Sequence, residues 1–108
     1  MGFMSSLDDR EKGFENKFAH DQELEFRATS RRNRMLGEWA GRLMGLESVD
    51  DYAQAVLKSH FEQPGDEDVL RKVSEDLNAS GLAVRAGEVR AKMDEFMAVA
   101  RGEVRGEA

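Results

Sequence analysis

The first half of the chain carries four closely spaced arginines: Arg27, Arg31, Arg32 and Arg34. A guanidinium group offers a fixed fork of N–H donors that suits phosphate and carboxylate oxygens. Arg27 and Arg31 are one helical turn apart, where like charges repel weakly unless an anion neutralises them. The cluster is therefore the best candidate in the sequence for binding a small anionic ligand, such as a phosphate or a nucleotide. A solvated helix face balanced by the acids Glu23, Glu25 and Glu38 is the simpler interpretation, and the residue types favour it.

Acidic residues surround the only proline of the chain: Glu62, Asp66, Glu67 and Asp68. Paired acids perform general acid–base catalysis only where one of them is desolvated. A run of acids beside Pro64-Gly65 is more typical of a solvated helix start, so a small enzyme built on these residues is the least supported function. The sequence also contains no P-loop, dinucleotide-binding or nucleophile-elbow motif. We therefore expect no catalytic activity.

Two phenylalanines one helical turn apart, Phe14 and Phe18, stand among mixed charges near the start of the chain. Arg10 and Glu11 interrupt their helical face, and Gly13 weakens the helix. A helix this short is marginal alone in water, so residues 1–20 are expected to stay mobile until they meet a surface. Two interpretations remain open. The rings extend the first long helix and pack on the rest of the chain, or they anchor the segment in a groove on another protein.

Four runs of helical period follow this segment. Apolar residues recur at helical spacing from about residue 21 to 44, from 49 to 61, from 69 to 77 and from 82 to 100. Gly45, Pro64-Gly65 and the stretch 78–81 separate these runs. Ser48 and Asp66 are expected to cap the second and third helices.

The pattern predicts an all-α fold, a four-helix bundle with a mobile N-terminal helical segment. The bundle is expected to span residues 21–101, after the segment of residues 1–20. Beyond Arg101 few apolar residues remain, so the fourth helix is expected to fray into a flexible tail over residues 102–108. Several large side chains are assigned to the bundle interior rather than to a binding groove: Met35, Trp39, Met44, Met93 and Met97.

Composition argues against further classes of function. The formal net charge of −6 opposes phosphate backbones and anionic membranes, so we expect no nucleic-acid partner. The chain has no cysteine, which leaves no disulfide and no thiolate nucleophile. Residues 1–7 lack the pattern of a signal peptide and no apolar run could span a bilayer, so we expect no membrane insertion and a cytoplasmic location. His20 and His60 belong to no ligand motif, and we expect no metal site.

Several motifs together resemble the zeta subunit family of alphaproteobacterial F-type ATP synthases. They cover nearly all of residues 7–101 and read Asp8-Asp9-Arg10-Glu11, Phe14-Glu15-Asn16-Lys17-Phe18-Ala19-His20-Asp21, Phe26-Arg27, Arg31-Arg32-Asn33, Leu36-Gly37, Trp39-Ala40 and Pro64-Gly65-Asp66-Glu67-Asp68-Val69. The resemblance implies a four-helix protein whose mobile front segment inhibits ATP hydrolysis.

Carried over position by position, the resemblance implies an inhibitory segment formed by Asp8, Asp9, Arg10, Glu11, Lys12, Phe14, Glu15, Lys17 and Phe18. These residues would enter an interface between alpha and beta subunits of the catalytic head, with the gamma subunit as a further candidate contact. The bundle would act as an anchor for this segment, and the protein would lie at the cytoplasmic face of the inner membrane when it is bound to the ATP synthase. We expect a monomer when free and no required cofactor. The alternative function is an adenine-nucleotide-binding regulatory module that uses the four arginines.

Overall fold

The computed structural model describes the backbone of residues 2–107 and the side chains of residues 16–107. Four α-helices follow one another: α1 Gly2–Met44, α2 Val49–Glu62, α3 Asp66–Ala79 and α4 Ala86–Glu107. Residues 2–107 contain no strand. The prediction of an all-α fold with four helices is confirmed.

The turn between α1 and α2 has the form that the sequence predicted. Gly45 adopts a φ of 68°, a left-handed conformation that glycine enters without a steric penalty. The amide of Leu46 donates to the carbonyl of Gly41 at 3.1 Å, which satisfies an otherwise unpaired carbonyl at the helix end. The Ser48 hydroxyl then accepts from the amide of Asp51 at 3.2 Å and caps α2.

The start of α3 differs from the prediction. Gly65, with a φ of 145°, occupies the N-cap position and supplies no side-chain cap. Asp66 is the first residue of the helix, and its carboxylate accepts a hydrogen bond from Arg32 on α1 instead of capping α3. The prediction that Asp66 caps the helix was therefore wrong, because Gly65 occupies the N-cap position and the Asp66 carboxylate binds a cation from another helix.

The first helix also begins earlier than the apolar pattern indicated. α1 has 43 residues and starts at Gly2, whereas the sequence predicted a start near Asp21. No proline lies within it, so backbone hydrogen bonding continues through position 21. The mobility expected for residues 1–20 stays a prediction.

Helices α1 and α2 approach each other closely because small residues line their crossing. A Cβ atom placed on Gly37 would lie 2.7 Å from the Cα of Ala53, closer than real contacts allow. One turn further along α1, a Cβ on Gly41 would lie 3.3 Å from a methyl group of Val49. Glycine at these positions therefore lets the two backbones come together.

The core lies in two parts along α1. The larger part is formed by Leu36, Ala40, Val56, Val69, Leu70, Val73, Leu77, Val89 and Met93, with Trp39 and Met44 packed against it. The smaller part is formed by Ala28, Met97, Ala100 and Val104, with Leu24 and Met35 packed against it. All five side chains that the sequence assigned to the interior thus contact the core.

The last helix continues past the point where a tail was predicted. α4 reaches Glu107, and Val104 is buried against α1. At the same end, Arg101 donates to Glu25 at 2.6 Å and Arg31 donates to Glu107 at 2.5 Å. The prediction that the helix ends near Arg101 was wrong, because α1 supplies packing and ion pairs that the isolated sequence does not reveal.

Candidate functional site

The structure describes only part of the segment that the sequence analysis assigned to inhibition. The side chains of Asp8, Asp9, Arg10, Glu11, Lys12, Phe14 and Glu15 lie outside the described residues. Lys17 and Phe18 are described, and both are exposed. The ring of Phe18 is 58% exposed, so it is not packed into the core of the protein.

Every described side chain of α1 before Leu24 is exposed. Residues 16–23 all have this property, and Leu24 is the first described side chain that packs against the core. The helix is therefore divided by environment into an exposed portion and a portion that forms the bundle. Phe18 lies in the exposed portion, where another molecule can reach it.

The four arginines do not converge on one site. Arg27, Arg31 and Arg34 lie at positions i, i+4 and i+7, and all three line one shallow cleft. Arg32 points to a different side of α1 and lines a separate cleft with Glu25 and Asp66. The sequence could not separate them by type, although helical spacing sets position 32 apart from the other three.

Arg32 has a structural role. Its side chain is buried, with the residue only 3% exposed, and Nη2 donates to Asp66 Oδ1 at 2.9 Å. Nε and Nη2 also donate to the Asn33 side-chain oxygen at 3.1 and 2.8 Å. The hydrogen bond from Arg32 lowers the pKa of Asp66 below its usual value. This arginine links α1 to the start of α3.

The other three arginines each pair with carboxylates of the same chain. Arg27 Nη2 lies 3.0 Å from Glu23, and Arg34 lies 3.2 Å from Glu38 and 2.9 Å from Asp50. Arg31 pairs with Glu107, which holds the pKa of that carboxyl below its usual range. Glu23 and Glu38 therefore balance the cluster as the solvated-face interpretation predicted. Glu25 does not, because it binds Arg101.

The acids around Pro64 bind four different cations. Asp66 pairs with Arg32, Glu67 with Arg90, Asp68 with Arg71 at 2.6 Å and Glu62 with Lys58 at 3.8 Å. Within the described part of the chain, no group of three or more histidine, cysteine or acidic side chains is placed to hold a metal ion. Asp66 and Glu67 thus join the start of α3 to α1 and α4, whereas Asp68 and Glu62 pair within their own helices.

An exposed aromatic pair was missed by the sequence analysis. Phe61 was placed on the apolar stripe of the second helix, but it is 59% exposed, and it lies against Phe26, which is 52% exposed. Their ring centroids are 5.9 Å apart. We call this pair the aromatic ridge. The sequence did indicate that Phe26 is exposed. Phe26 lies two positions after Leu24, so it is not on the apolar stripe of α1.

Phe26 of the aromatic ridge lines two clefts. One has a volume of about 300 Å³ and is lined by Phe26, Arg27, Ser30, Arg31, Arg34 and Leu57. The other has a volume of about 370 Å³ and is lined by Gln22, Glu25, Phe26, Thr29, His60 and Asp66. His60 is half-buried there.

No helix in the described part of the chain is both long enough and apolar enough to cross a bilayer. A search of curated proteins finds no match to this chain.

A family model described as ATPase inhibitor subunit zeta matches residues 4–103. The match includes the exposed portion of α1, all of α2 and α3, and most of α4. It agrees with the resemblance that the motifs of the sequence indicated. The chain therefore belongs to the ATPase inhibitor subunit zeta family.

Proposed function

We propose that this protein inhibits ATP hydrolysis by the F-type ATP synthase by inserting residues 1–20 as a helix at an interface between alpha and beta subunits. The bundle remains outside the interface and anchors the segment. The gamma subunit is a further contact if the segment reaches the centre of the head. Membership of the inhibitor family supports the activity, and the form of α1 supports the way in which it is carried out.

One observation carries the proposal. A single helix contains both the core residues Leu36 and Ala40 and the exposed residue Phe18. A segment attached in this way extends a helix that is already formed, so it avoids the unfavourable nucleation step of an isolated peptide. The bundle therefore lowers the conformational cost of presenting the segment to a partner.

The free energy of insertion favours a segment that is continuous with the folded bundle over a free peptide. Full burial of Phe14 and Phe18 contributes about 1.5 to 3 kcal/mol for each ring. Ordering a free backbone costs roughly 1 to 2 kcal/mol per residue, which over such a segment exceeds the gain from two rings. A helix continuous with the bundle reduces this cost, and the charged residues Asp8 to Lys12 supply further contacts at the interface.

The block itself follows from the motion of the head. Rotary catalysis requires alpha and beta subunits to open and close in turn, and a helix wedged between them prevents closure. ATP hydrolysis then stops in the conformation of the catalytic head in which the inserted helix is bound. The protein takes no part in the chemistry, in agreement with a regulatory role.

Removal of residues 1–18 tests the proposal. The shortened chain should lose inhibition of the purified catalytic head and the helical signal of the residues removed, while keeping the melting temperature of the bundle, because Leu24 is the first described side chain that packs against the core. Phe18→Ala should weaken inhibition by about tenfold with no change in stability, because burial of the ring in the partner is lost. Val99→Ala, at an exposed apolar position on α4, is the matched control. Full inhibition by the shortened chain would refute the assignment.

Nucleotide binding is the second candidate, and the cleft beside Arg27, Arg31 and Arg34 favours it because every charged residue that lines this cleft is an arginine. ADP or ATP would place phosphates against these guanidinium groups, without Arg32. Titration with ADP while the backbone amide resonances of residues 26–34 are followed by NMR tests it. Unchanged resonances at millimolar ADP exclude the candidate.

A further inference from the structure

We infer that the last two turns of α4 position the inhibitory segment, because they hold α1 where its exposed portion leaves the bundle. The positioning residues on α4 are Arg101, Val104 and Glu107. Their partners on α1 lie within residues 25–31, outside the segment, so they act through the direction of α1. The inference rests on the proposed function, since it names what orients the segment that the proposed function inserts.

Helices α1 and α4 run antiparallel where they meet. Trp39 of α1 lies beside Lys92 of α4, whereas Ala28 of α1 packs in the same cluster as Val104 of α4. Residue numbers therefore fall along α1 as they rise along α4. Ala28 and Val104 are each 1% exposed, so they form a buried contact at the end of this interface.

An ion pair lies on each side of this buried contact. Arg101 donates through Nη2 and Nε to the two carboxylate oxygens of Glu25, at 2.6 and 3.2 Å. Arg31 donates through Nη1 and Nη2 to the two carboxylate oxygens of Glu107, at 2.5 and 3.0 Å. Side chains six residues apart on a helix point about 120° apart, with the residue midway between them in the middle. The two pairs therefore flank the buried contact on both helices.

The order of the charges fixes the register of the two helices. Glu25 and Glu107 lie at the same level of the antiparallel pair, as do Arg31 and Arg101, because each is three residues from the central contact. Residues at the same level thus carry like charges, and the attractive pairs form only along the diagonals. A two-point contact between guanidinium and carboxylate is also the geometry in which an exposed ion pair is most effective.

The end of α4 supplies the buried contact with this stretch of α1. Among the described residues, Ala28 is the first buried residue of α1, and the next is Arg32, which binds the start of α3. Phe61 of α2 also reaches α1, at Phe26, but more than half of each residue is exposed. Without the end of α4, the free portion of α1 would therefore extend to about residue 31.

The direction of a continuous helix depends on the last residues that are held. Phe18 lies ten residues before Ala28 on α1, which corresponds to about 15 Å of helix. A change of about 20° in the direction of α1 at Ala28 would move Phe18 by about 5 Å. A segment that leaves the bundle in one direction loses less orientational freedom when it binds, so it binds more tightly.

Distance measurements on the free protein test whether these pairs hold α1. The chain has no cysteine, so Lys17→Cys and Glu75→Cys place one spin label on the exposed portion of α1 and one on α3. The distribution of distances between the labels should become at least twofold broader when Arg101→Gln and Glu107→Gln are combined. The matched control is Arg90→Gln, which removes an exposed ion pair between α3 and α4 and should leave the width unchanged.

The affinity of unlabelled full-length variants for the purified catalytic head tests the role in inhibition. The combined Arg101→Gln and Glu107→Gln variant should bind about tenfold more weakly and still inhibit fully at saturation, because residues 1–20 are unchanged. Its melting temperature should stay within about 2 °C of the unmodified chain, because exposed pairs contribute little to stability. The Arg90→Gln control should change the affinity less than twofold.

A double-mutant cycle shows whether one ion pair acts as a unit. Glu25→Gln and Arg101→Gln together should weaken binding no more than either substitution alone, because each of them already breaks the same pair. The difference in affinity between the unmodified chain and these variants should narrow at high salt, which screens exposed charges. Additive losses of affinity would mean that the two residues act separately, and they would overturn the inference.

Four further results would overturn the inference. If the unmodified chain inhibits the head but the combined variant matches Arg90→Gln in both measurements, the pairs do not position α1, while the proposed function stands. If the distances broaden and the affinity stays unchanged, the hold on α1 does not serve inhibition. If the melting temperature falls by more than about 5 °C together with the affinity, the end of α4 acts on the stability of the bundle instead. If the unmodified chain neither binds nor inhibits the head, the proposed function fails and the inference falls with it.

Discussion

At the scale of single residues, Gly37 decides how closely α1 and α2 can pack. Glycine has no Cβ, and a Cβ at this position would lie only 2.7 Å from the Cα of Ala53. The sequence gives no sign of this requirement, since Gly37 stands within a helical run in which alanine would normally be preferred. Only the position of a neighbouring backbone explains a glycine there.

Gly37→Ala should destabilise the protein by about 1 to 3 kcal/mol, because the added methyl group meets backbone atoms that cannot move without shifting a helix. Urea unfolding followed by circular dichroism measures the change. Gly102→Ala is the control within a helix, since nothing lies within 4 Å of a Cβ at that position. It should raise stability by up to about 1 kcal/mol, because alanine favours the helix over the unfolded chain. Equal effects of the two substitutions would contradict the close packing.

At the scale of elements, α4 depends on α1 for its last turns. The sequence beyond Arg101 contains one large apolar residue, Val104, which is too little to predict a buried helix end. In the structure Val104 packs on Ala28, and Glu107 accepts hydrogen bonds from Arg31. α1 thus supplies packing and hydrogen bonds to residues 104–107 of α4.

Val104→Ala should cost about 2 kcal/mol, the loss expected for two buried carbon atoms together with the space they leave. Val99→Ala makes the same substitution on the same helix at an exposed position, and it should change stability by less than about 0.5 kcal/mol. Thermal unfolding of both variants provides the comparison. A neutral Val104→Ala would mean that residues 102–107 are not held against α1 in solution.

At the scale of the whole molecule, the structure is elongated, with extents of 69 × 24 × 22 Å, because α1 has 43 residues and the other helices have 14 to 22. Segments of the chain therefore differ in how much they pack against other helices. The described residues before Leu24 are exposed on every side, whereas one face of the same helix from Ala28 onward packs into the core.

Native-state hydrogen exchange should show this difference. Amides of residues 16–22 should exchange at least a hundredfold faster than amides of residues 33–40. Residues 16–22 open by local fraying of the helix, whereas residues 33–40 open only when the bundle unfolds. Addition of the catalytic head should slow the exchange of residues 16–22 if the segment inserts as proposed. Uniform slow exchange along α1 in the free protein would contradict a separately opening segment.

The sequence by itself determined the class of the fold, since helical spacing of apolar residues and the breaks at Gly45, Pro64 and Gly81 are local properties. Its motifs also indicated the family. The tertiary structure decided which of the similar residues act together: it buried Arg32 away from the other arginines, exposed Phe61 beside Phe26, and continued α4 to Glu107. These outcomes depend on contacts between distant parts of the chain, and no local pattern specifies which side chains from different helices will meet.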